Sequence, residues 1–240
     1  MRKLLIGLVA ALVVTAFPAA AGARVSTAAP LQFAPNHKIT QSTSSNWSGY
    51  AATGGGFTTV TSTWTQPTAS CTSATTYSSF WVGLDGDGSS TVEQTGTSAD
   101  CSGGTPRYYA WYEMYPKYPV NLSIAIHAGD TIVGTVTVTG NGRYTLHIHD
   151  NTTGGDFSTT QKGHGSNYSA EAIAEAPSSR SGVLPLTSFG TVNFSGTLVN
   201  GQPIGNFNPD RIDMVSGSTL KAQTSALSGG TSFSVAWKHS

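Results

Sequence analysis

The sequence predicts an all-β fold, an antiparallel sandwich of two sheets, and three observations lead to this prediction. Gly, Ser and Thr recur along the whole chain, with 28 glycines in 240 residues, and the helix-favouring residues Leu, Lys and Glu are scarce. Alternating or β-branched runs return at intervals of about 8–15 residues. Turn signals such as Gly54-Gly55-Gly56 and Gly140-Asn141-Gly142 separate these runs. Short strands joined by tight turns are typical of a sandwich or barrel.

The predicted strands are runs in which apolar or β-branched residues alternate with polar ones. They are Thr58–Trp64, Phe80–Leu84, Tyr108–Tyr115, Leu122–His127, Thr131–Thr139, Tyr144–His149, Ser169–Glu175, Gly190–Leu198 and Ser232–Trp237. The best-defined hairpin joins the fifth and sixth of these runs, because a glycine-rich turn separates them. No internal repeat divides the chain, so we expect one domain.

The first 23 residues have the three-part layout of a cleaved secretory signal. A basic pair, Arg2 and Lys3, precedes an apolar run over Leu4–Phe17, and small residues follow as far as Ala23. The apolar run is shorter than the roughly 20 residues that a membrane-spanning helix needs. We therefore expect a secreted, extracellular protein with no membrane partner.

The next stretch, residues 24–43, is mostly polar and has no periodic pattern. It contains Pro30 and Pro35, and it is predicted to be a propeptide or a disordered arm. Residues 44–240 are then the folded domain, which is long enough for a sizeable core. We expect this domain to be a monomer.

Charged side chains are unusually scarce. Lys and Arg together number 12, as do Asp and Glu, whereas about a quarter of an average soluble domain is charged. Without a basic excess, no nucleic-acid partner is predicted. Few carboxylates also limit the repulsion and the lost ion pairs that unfold proteins in acid, so the composition tolerates low pH. A Ser- and Thr-rich extracellular surface with no link to pH would have the same composition.

The two cysteines, Cys71 and Cys101, are predicted to form a disulfide, because thiols in exported proteins normally become oxidised. The bond would close a loop of about 30 residues and stabilise the fold by roughly 3 kcal/mol, mainly by restricting the unfolded chain.

The usual sequence signatures of serine hydrolases and zinc proteases are missing, since the chain has no G-x-S-x-G and no H-E-x-x-H. His147 and His149 would point to one face of a strand and could begin a metal site. No third ligand is evident in the sequence, so we predict no metal and no cofactor.

Three glutamates stand in apolar or aromatic strand contexts. Period-two geometry puts Glu113 on one strand face with Trp111 and Tyr115, and it puts Glu171 and Glu175 on one face of another strand. A carboxylate on an aromatic-lined face suits general acid–base chemistry on a bound polymer. A solvated strand face is the alternative for any one of these glutamates.

Five motifs, in order along the chain, resemble those of the glutamic peptidases, also called eqolisins. They are SNWSGY at 45–50, WVGLDG at 81–86, EQTG at 93–96, AWYEMYP at 110–116 and AEAIAE at 170–175. The likeness covers nearly all of the predicted domain. It implies a concanavalin-like sandwich of two antiparallel sheets and an acid endopeptidase that acts on proteins or peptides.

The resemblance also implies roles for single residues. The family's catalytic glutamine falls on Gln94 and its glutamate on Glu175, with Glu171 as the alternative because it shares a face with Glu175. Positions that line the family's substrate cleft fall on Trp81, Asp85, Trp111, Glu113, Tyr115 and Glu171. The chain departs from the family where Ala172 and Met114 replace tryptophans and Ser98 replaces an aspartate, and these departures are expected to bear on subsite shape and specificity.

The implied pair makes chemical sense. Glu175, as a carboxylate, would take a proton from the attacking water and return it to the leaving amine. Gln94 would hold the water and donate an N–H to the oxyanion, a contact worth roughly 3–4 kcal/mol. A glycosidase is one alternative, but it needs a second carboxylic acid where Gln94 stands. A carbohydrate-binding, lectin-like sandwich is the other.

Overall fold

The computed structural model describes residues 43–240. The predicted signal peptide and almost all of the predicted propeptide or arm lie outside the described residues. No helix in the described range is long and apolar enough to cross a membrane.

Nearly all regular structure in this range is β-strand. The strands are β1 (Thr43–Ser44), β2 (Trp47–Thr53), β3 (Thr59–Thr65), β4 (Ser79–Leu84), β5 (Val92–Ser102), β6 (Thr105–Tyr115), β7 (Val120–Asn121), β8 (Thr131–Gly140), β9 (Arg143–Asp150), β10 (Asp156–Lys162), β11 (Ser169–Glu175), β12 (Ser178–Ser179), β13 (Gly182–Val183), β14 (Thr191–Val199), β15 (Gln202–Pro203), β16 (Asp210–Ser216), β17 (Thr219–Thr224) and β18 (Phe233–Trp237). A short 3₁₀ helix covers Ile204–Phe207.

The long strands form two layers. The front sheet has the strand order β2-β11-β4-β5-β6-β7, and the back sheet has the order β10-β9-β8-β3-β14-β18-β17. Strand β16 pairs with β2 and with β17, so it joins the two sheets at one edge. The pairs within both sheets are antiparallel, whereas β1 lies parallel to β16. The predicted antiparallel two-sheet sandwich is confirmed.

Side chains from both sheets meet in one apolar core. Phe80, Val82 and Leu84 contribute from alternate positions of β4, and Trp64 and Ile132 contribute from the back sheet. The indole N–H of Trp64 donates to Thr97 Oγ1 on β5 at 2.9 Å, which satisfies the one polar atom of this large side chain. Fully burying such a side chain stabilises the fold by roughly 1.5–3 kcal/mol.

Most predicted strands are present to within a few residues, and one is wrong. Leu122–His127 has the alternating pattern of a strand, but the structure pairs only Val120–Asn121 with β6. The chain after this pair turns, and Asp130 accepts a hydrogen bond from the backbone N–H of His127 at 2.6 Å. An alternating pattern makes a strand only where a neighbouring strand supplies backbone partners.

The predicted disulfide is confirmed. Cys71 and Cys101 are bonded, with their Cα atoms 5.4 Å apart. The bond ties the segment that follows β3 to β5 in the front sheet.

Candidate active site

The candidate residues gather on the face of the front sheet that is turned away from the back sheet, which we call the site face. On β11, Ala170, Ala172 and Ala174 belong to the main core, so Glu171 and Glu175 point to the opposite face. A second apolar cluster, separate from the main core, lies on the site face. It consists of Trp47, Ala51, Trp81, Val92, Trp111, Ile173 and Ile212, with Tyr109 and Tyr115 packed against it.

Cross-strand pairing determines which candidate residues are neighbours. Gln94 pairs with Glu113 on β6 and with Gly83 on β4, and Gly83 pairs in turn with Glu171 on β11. These four residues form one row across the sheet, which we call the site row. Adjacent strands lie about 4.8 Å apart, so the backbones of Glu171 and Gln94 are separated by roughly 10 Å with only a glycine between them.

Gly83 keeps the middle of the site row open. A Cβ atom at this position would lie 3.2 Å from Gln94 Cβ and 2.9 Å from Trp81 Cζ3. Any larger residue would therefore fill the space between Glu171 and Gln94.

Glu175 lies elsewhere on the same face. It pairs with Ser79 and Trp47, and four residues of strand, or roughly 13 Å, separate it from Glu171. Its Oε1 accepts a hydrogen bond from Asn46 Nδ2 at 3.0 Å, and its Oε2 accepts one from Trp81 Nε1 at 2.8 Å. The register therefore brings Glu171, the alternative assignment, into the row of Gln94, and it makes Glu175 a partner of the Trp81 ring.

The carboxyl group of Glu171 is buried and only half satisfied. Its Oε1 accepts hydrogen bonds from Ser169 Oγ and from the backbone N–H of Asp87. Its Oε2 has no hydrogen-bond partner among residues 43–240. Burial raises the pKa of Glu171 well above its usual value, and the hydrogen bonds from Ser169 and Asp87 offset part of the rise.

The amide of Gln94 is held from one side. Its Nε2 donates to Glu113 Oε2 at 2.6 Å, whereas its Oε1 has no partner in the described part of the chain. The carboxyl oxygen of Glu113 accepts this bond, so the amide nitrogen faces Glu113 and the amide oxygen points away from it. Gln94 and Glu171 each present one buried acceptor atom in the site row.

Aromatic rings surround the row. Trp47 and Trp81 pack edge to face with ring centroids 5.1 Å apart, and Trp111 is fully buried beside them. Tyr115 ends β6 and packs against the same cluster. Trp81, Trp111, Glu113, Tyr115 and Glu171, all predicted to line a cleft, thus lie together on the site face.

Asp85 is placed differently from the other predicted cleft residues. It lies just beyond the end of β4, and its carboxylate accepts hydrogen bonds from Ser166 Oγ and from the backbone N–H groups of Asn167 and Tyr168, each at 2.8–2.9 Å. Asp85 therefore anchors the loop that leads into β11.

Two of the three departures from the family pattern do not face the site. Ala172 and Met114 belong to the main core between the sheets, so any effect on the subsites would be indirect. Ser98 is on the site face, where its Oγ lies 3.1 Å from Ser79 Oγ. Sequence reasoning also missed Asn46, Ser169 and Asp87, although Ser169 is two residues from Glu171 and period-two geometry could have found it.

His147 and His149 lie on β9 in the back sheet, away from the site face. Both imidazoles contact Asp156 Oδ1, at 2.8 and 2.9 Å, in partly exposed pairs. Within the described residues, no group of His, Cys, Asp or Glu side chains is arranged to hold a metal ion.

Known proteins are similar to this chain in sequence. The sequence profile described as the peptidase A4 family matches residues 45–237. Aspergillopepsin-2 of Aspergillus niger is 30% identical over 209 residues, which are 76% of this chain and 74% of that protein. Scytalidopepsin B of Scytalidium lignicola is 34% identical over 161 residues, which are 63% of this chain and 60% of that protein.

Solved structures agree with these matches. The crystal structure of scytalido-glutamic peptidase with a transition-state analog inhibitor superimposes with a TM-score of 0.72 at 28% identity, covering 81% of this chain and 98% of that one. The crystal structure of aspergilloglutamic peptidase from Aspergillus niger gives a TM-score of 0.62 at 29% identity, covering 68% of this chain and 99% of that one.

Proposed function

Because this chain belongs to the peptidase A4 family of glutamic peptidases, and is therefore a proteolytic enzyme, we propose that Gln94 and Glu171 hydrolyse peptide bonds on its site face. The full proposal is a secreted, monomeric endopeptidase that works in acid without metal or cofactor. Family membership sets aside the glycosidase and lectin-like alternatives.

One observation supports the choice of Gln94 and Glu171 as the pair. Glu171 Oε2 and Gln94 Oε1 are buried acceptors without donors in residues 43–240, and they flank Gly83 in one row. A buried acceptor left without a donor costs about 1–3 kcal/mol. A water molecule has two O–H donors and can satisfy both atoms at once. The site row is thus suited to bind the nucleophile of a hydrolysis reaction.

The reaction then follows from the two groups. Glu171, as a carboxylate, removes a proton from the bound water as its oxygen forms a bond to the peptide carbonyl carbon. Gln94 makes one N–H bond, to Glu113, so its second N–H is available to the oxyanion that develops on the carbonyl oxygen. When the C–N bond breaks, Glu171 returns the proton to the leaving amine.

The pKa of Glu171 suits this exchange. Burial raises it in the free enzyme, which favours the protonated form. The bound water donates a hydrogen bond to Oε2, and a hydrogen bond to the charged form lowers a carboxyl pKa. A water bound in the row therefore lowers the pKa of Glu171 and favours the carboxylate form, which accepts the proton.

Three other carboxyl groups support action in acid. Burial raises the pKa of Glu93 to about 8, of Asp100 to about 7 and of Asp87 to about 6. A carboxyl whose pKa is raised by folding stabilises the fold fully below its unfolded pKa, near 4, and loses that contribution as the pH rises through the raised value. These three groups therefore favour the folded state in acid.

Glutamate-to-glutamine variants assayed on casein between pH 3 and pH 7 test the assignment. Glu171→Gln removes the proton acceptor without changing its size, and we expect kcat to fall by about 10²–10⁴-fold. Glu175→Gln is the matched control on the same strand face. It weakens the contacts to Asn46 and Trp81, and we expect it to lose about tenfold or less. If the folded Glu171→Gln protein cleaves at the wild-type rate while Glu175→Gln is inactive, the roles are reversed.

A further inference from the structure

Three oxygen atoms crowd around Gly165, in the loop between β10 and β11. A Cβ atom at Gly165 would lie closer than 3.0 Å to Asp85 Oδ2, Glu93 Oε2 and Tyr144 Oη. Only glycine fits there. Glu93 precedes Gln94 on β5, so its side chain points to the opposite face of the front sheet, where it is 1% exposed. We call Asp85, Glu93, Tyr144 and Gly165 the Gly165 cluster.

Asp85 holds the loop of residues 163–168 in place. Its two carboxylate oxygens accept the three hydrogen bonds from Ser166, Asn167 and Tyr168 described above. Its backbone has a positive φ of 67°, a conformation that costs energy for a residue with a side chain and persists only where its surroundings maintain it. Tyr144 Oη adds a hydrogen bond to Asn167 Oδ1 at 2.8 Å.

Two carboxyl groups this close and this buried cannot both be charged. Asp85 already accepts three hydrogen bonds, so Glu93 carries the proton and donates it to Asp85. No donor in residues 43–240 forms a hydrogen bond with Glu93 Oε2, as expected if this oxygen carries the proton. The pKa of Glu93, raised to about 8 by burial and by Asp85, agrees with this arrangement.

The other titratable groups near Glu93 do not replace that proton. Tyr144 is a neutral phenol whose pKa is raised by burial and by Glu93. Lys117, Lys162 and His164 line a pocket of about 220 Å³ that Glu93 also borders, and none of them forms an ion pair with it in the described range.

The cluster is connected to Glu171 by two short paths. The backbone N–H of Asp85 donates to Ser169 O at 2.9 Å, and Ser169 Oγ donates to Glu171 Oε1. Asp87, two residues after Asp85, donates its backbone N–H to the same oxygen at 3.3 Å. Of the two donors to Glu171, Ser169 is therefore hydrogen-bonded to Asp85, and Asp87 lies two residues after it.

We propose that Glu93 is a positioning residue whose proton, shared with Asp85, fixes the 163–168 loop and thereby the two hydrogen-bond donors of Glu171. Loss of the proton places two carboxylates side by side, and their repulsion releases the loop. Glu171 then loses its donors, and activity falls on the alkaline side. The inference rests on the proposed function only in taking Glu171 as the proton acceptor.

Glu93→Gln is the decisive variant, because an amide has the shape of the neutral acid, still donates to Asp85 and does not ionise. We expect kcat/KM equal to wild type at pH 4 and a variant-to-wild-type ratio that rises about tenfold or more by pH 8–9. Hydrogen exchange at the amides of Asn167 and Tyr168 should be slower in the variant than in wild type at pH 8, and equal at pH 4. Asp100→Asn is the control, because it removes a buried carboxyl outside the cluster. The exchange rates of these two amides, corrected for any change in global unfolding, should be the same as in wild type.

A flat activity ratio together with unchanged loop exchange overturns the inference. The exchange measurement needs no substrate, so it separates this inference from the proposed function. If Glu171→Gln keeps wild-type activity but Glu93→Gln still protects the loop, Glu171 is not the proton acceptor, whereas the role of Glu93 in fixing the loop is supported. Glu93→Ala cannot donate to Asp85, so the loop amides should exchange faster than in wild type at pH 4 as well. Exchange at pH 4 equal to wild type would also contradict the proposed role of Glu93.

Discussion

Adding a single methyl group at Gly83 tests the site row directly. Gly83→Ala places a Cβ atom 2.9 Å from Trp81 Cζ3 and 3.2 Å from the Cβ of Gln94, in the space between Gln94 and Glu171. The backbone of Gly83 is not in the left-handed region, so alanine adds crowding and no backbone strain. The methyl group takes the place of the water that the row would bind.

The expected magnitudes come from two separate effects. Crowding a packed site costs about 1–3 kcal/mol of unfolding free energy, or a fall in Tm of roughly 2–4 °C for each kcal/mol in a chain of this size. Loss of the bound water and of its contact with Gln94 should lower kcat by about 10²–10³-fold, as removal of an oxyanion contact does.

Gly134→Ala is the matched control. A Cβ atom there would lie 2.9 Å from Trp64 Cη2 and 3.0 Å from Val82 Cγ2, which is the same degree of crowding, but inside the core between the sheets. Thermal unfolding and casein hydrolysis at acid pH should show similar losses of stability for both variants and a large loss of kcat for Gly83→Ala alone. A folded Gly83→Ala protein with the kcat of Gly134→Ala would refute the assignment of the site row.

Two further predictions concern Glu113 and the pH dependence of stability. The Glu113→Gln side chain can present either an N–H or an oxygen to Gln94, so it no longer orients the amide of Gln94. We expect kcat to fall about tenfold with KM nearly unchanged. Steady-state kinetics with a changed KM and an unchanged kcat would contradict this. The free energy of unfolding in urea should decrease as the pH is raised from 4 to 8, because the raised pKa values of Asp87, Asp100 and Glu93 remove their stabilising contributions in that order. The pKa of Asp100 rises from 3.8 to about 7, and at about 1.4 kcal/mol per pKa unit this group accounts for a loss of at most about 4 kcal/mol in the free energy of unfolding. Greater stability at pH 8 than at pH 4 would contradict the prediction.

Several strands could be predicted from the sequence because they are buried on one face or follow a simple alternation. The runs that became β8 and β9 alternate buried and partly exposed residues along their length, and a turn of two glycines and an asparagine joins them. β5 was missed for the opposite reason. Its residues Val92–Cys101 are buried on both faces and are mostly small or polar, so no alternation remains in the sequence.

The sequence by itself indicated candidate residues for the chemistry, and for three of them it also indicated the face of the strand. Glu113, Glu171 and Glu175 lie on the strand faces that the period of two predicts, whereas Gln94 was indicated by its motif alone. It could not decide which glutamate lies in the row of Gln94, because Glu171 and Glu175 have the same parity on β11 and are equivalent for any local pattern. That choice depends on the register of β11 against β4 and of β4 against β5. Register is decided by which side chains the two sheets bury together and by how the connecting loops close, and both are properties of the whole fold rather than of any segment.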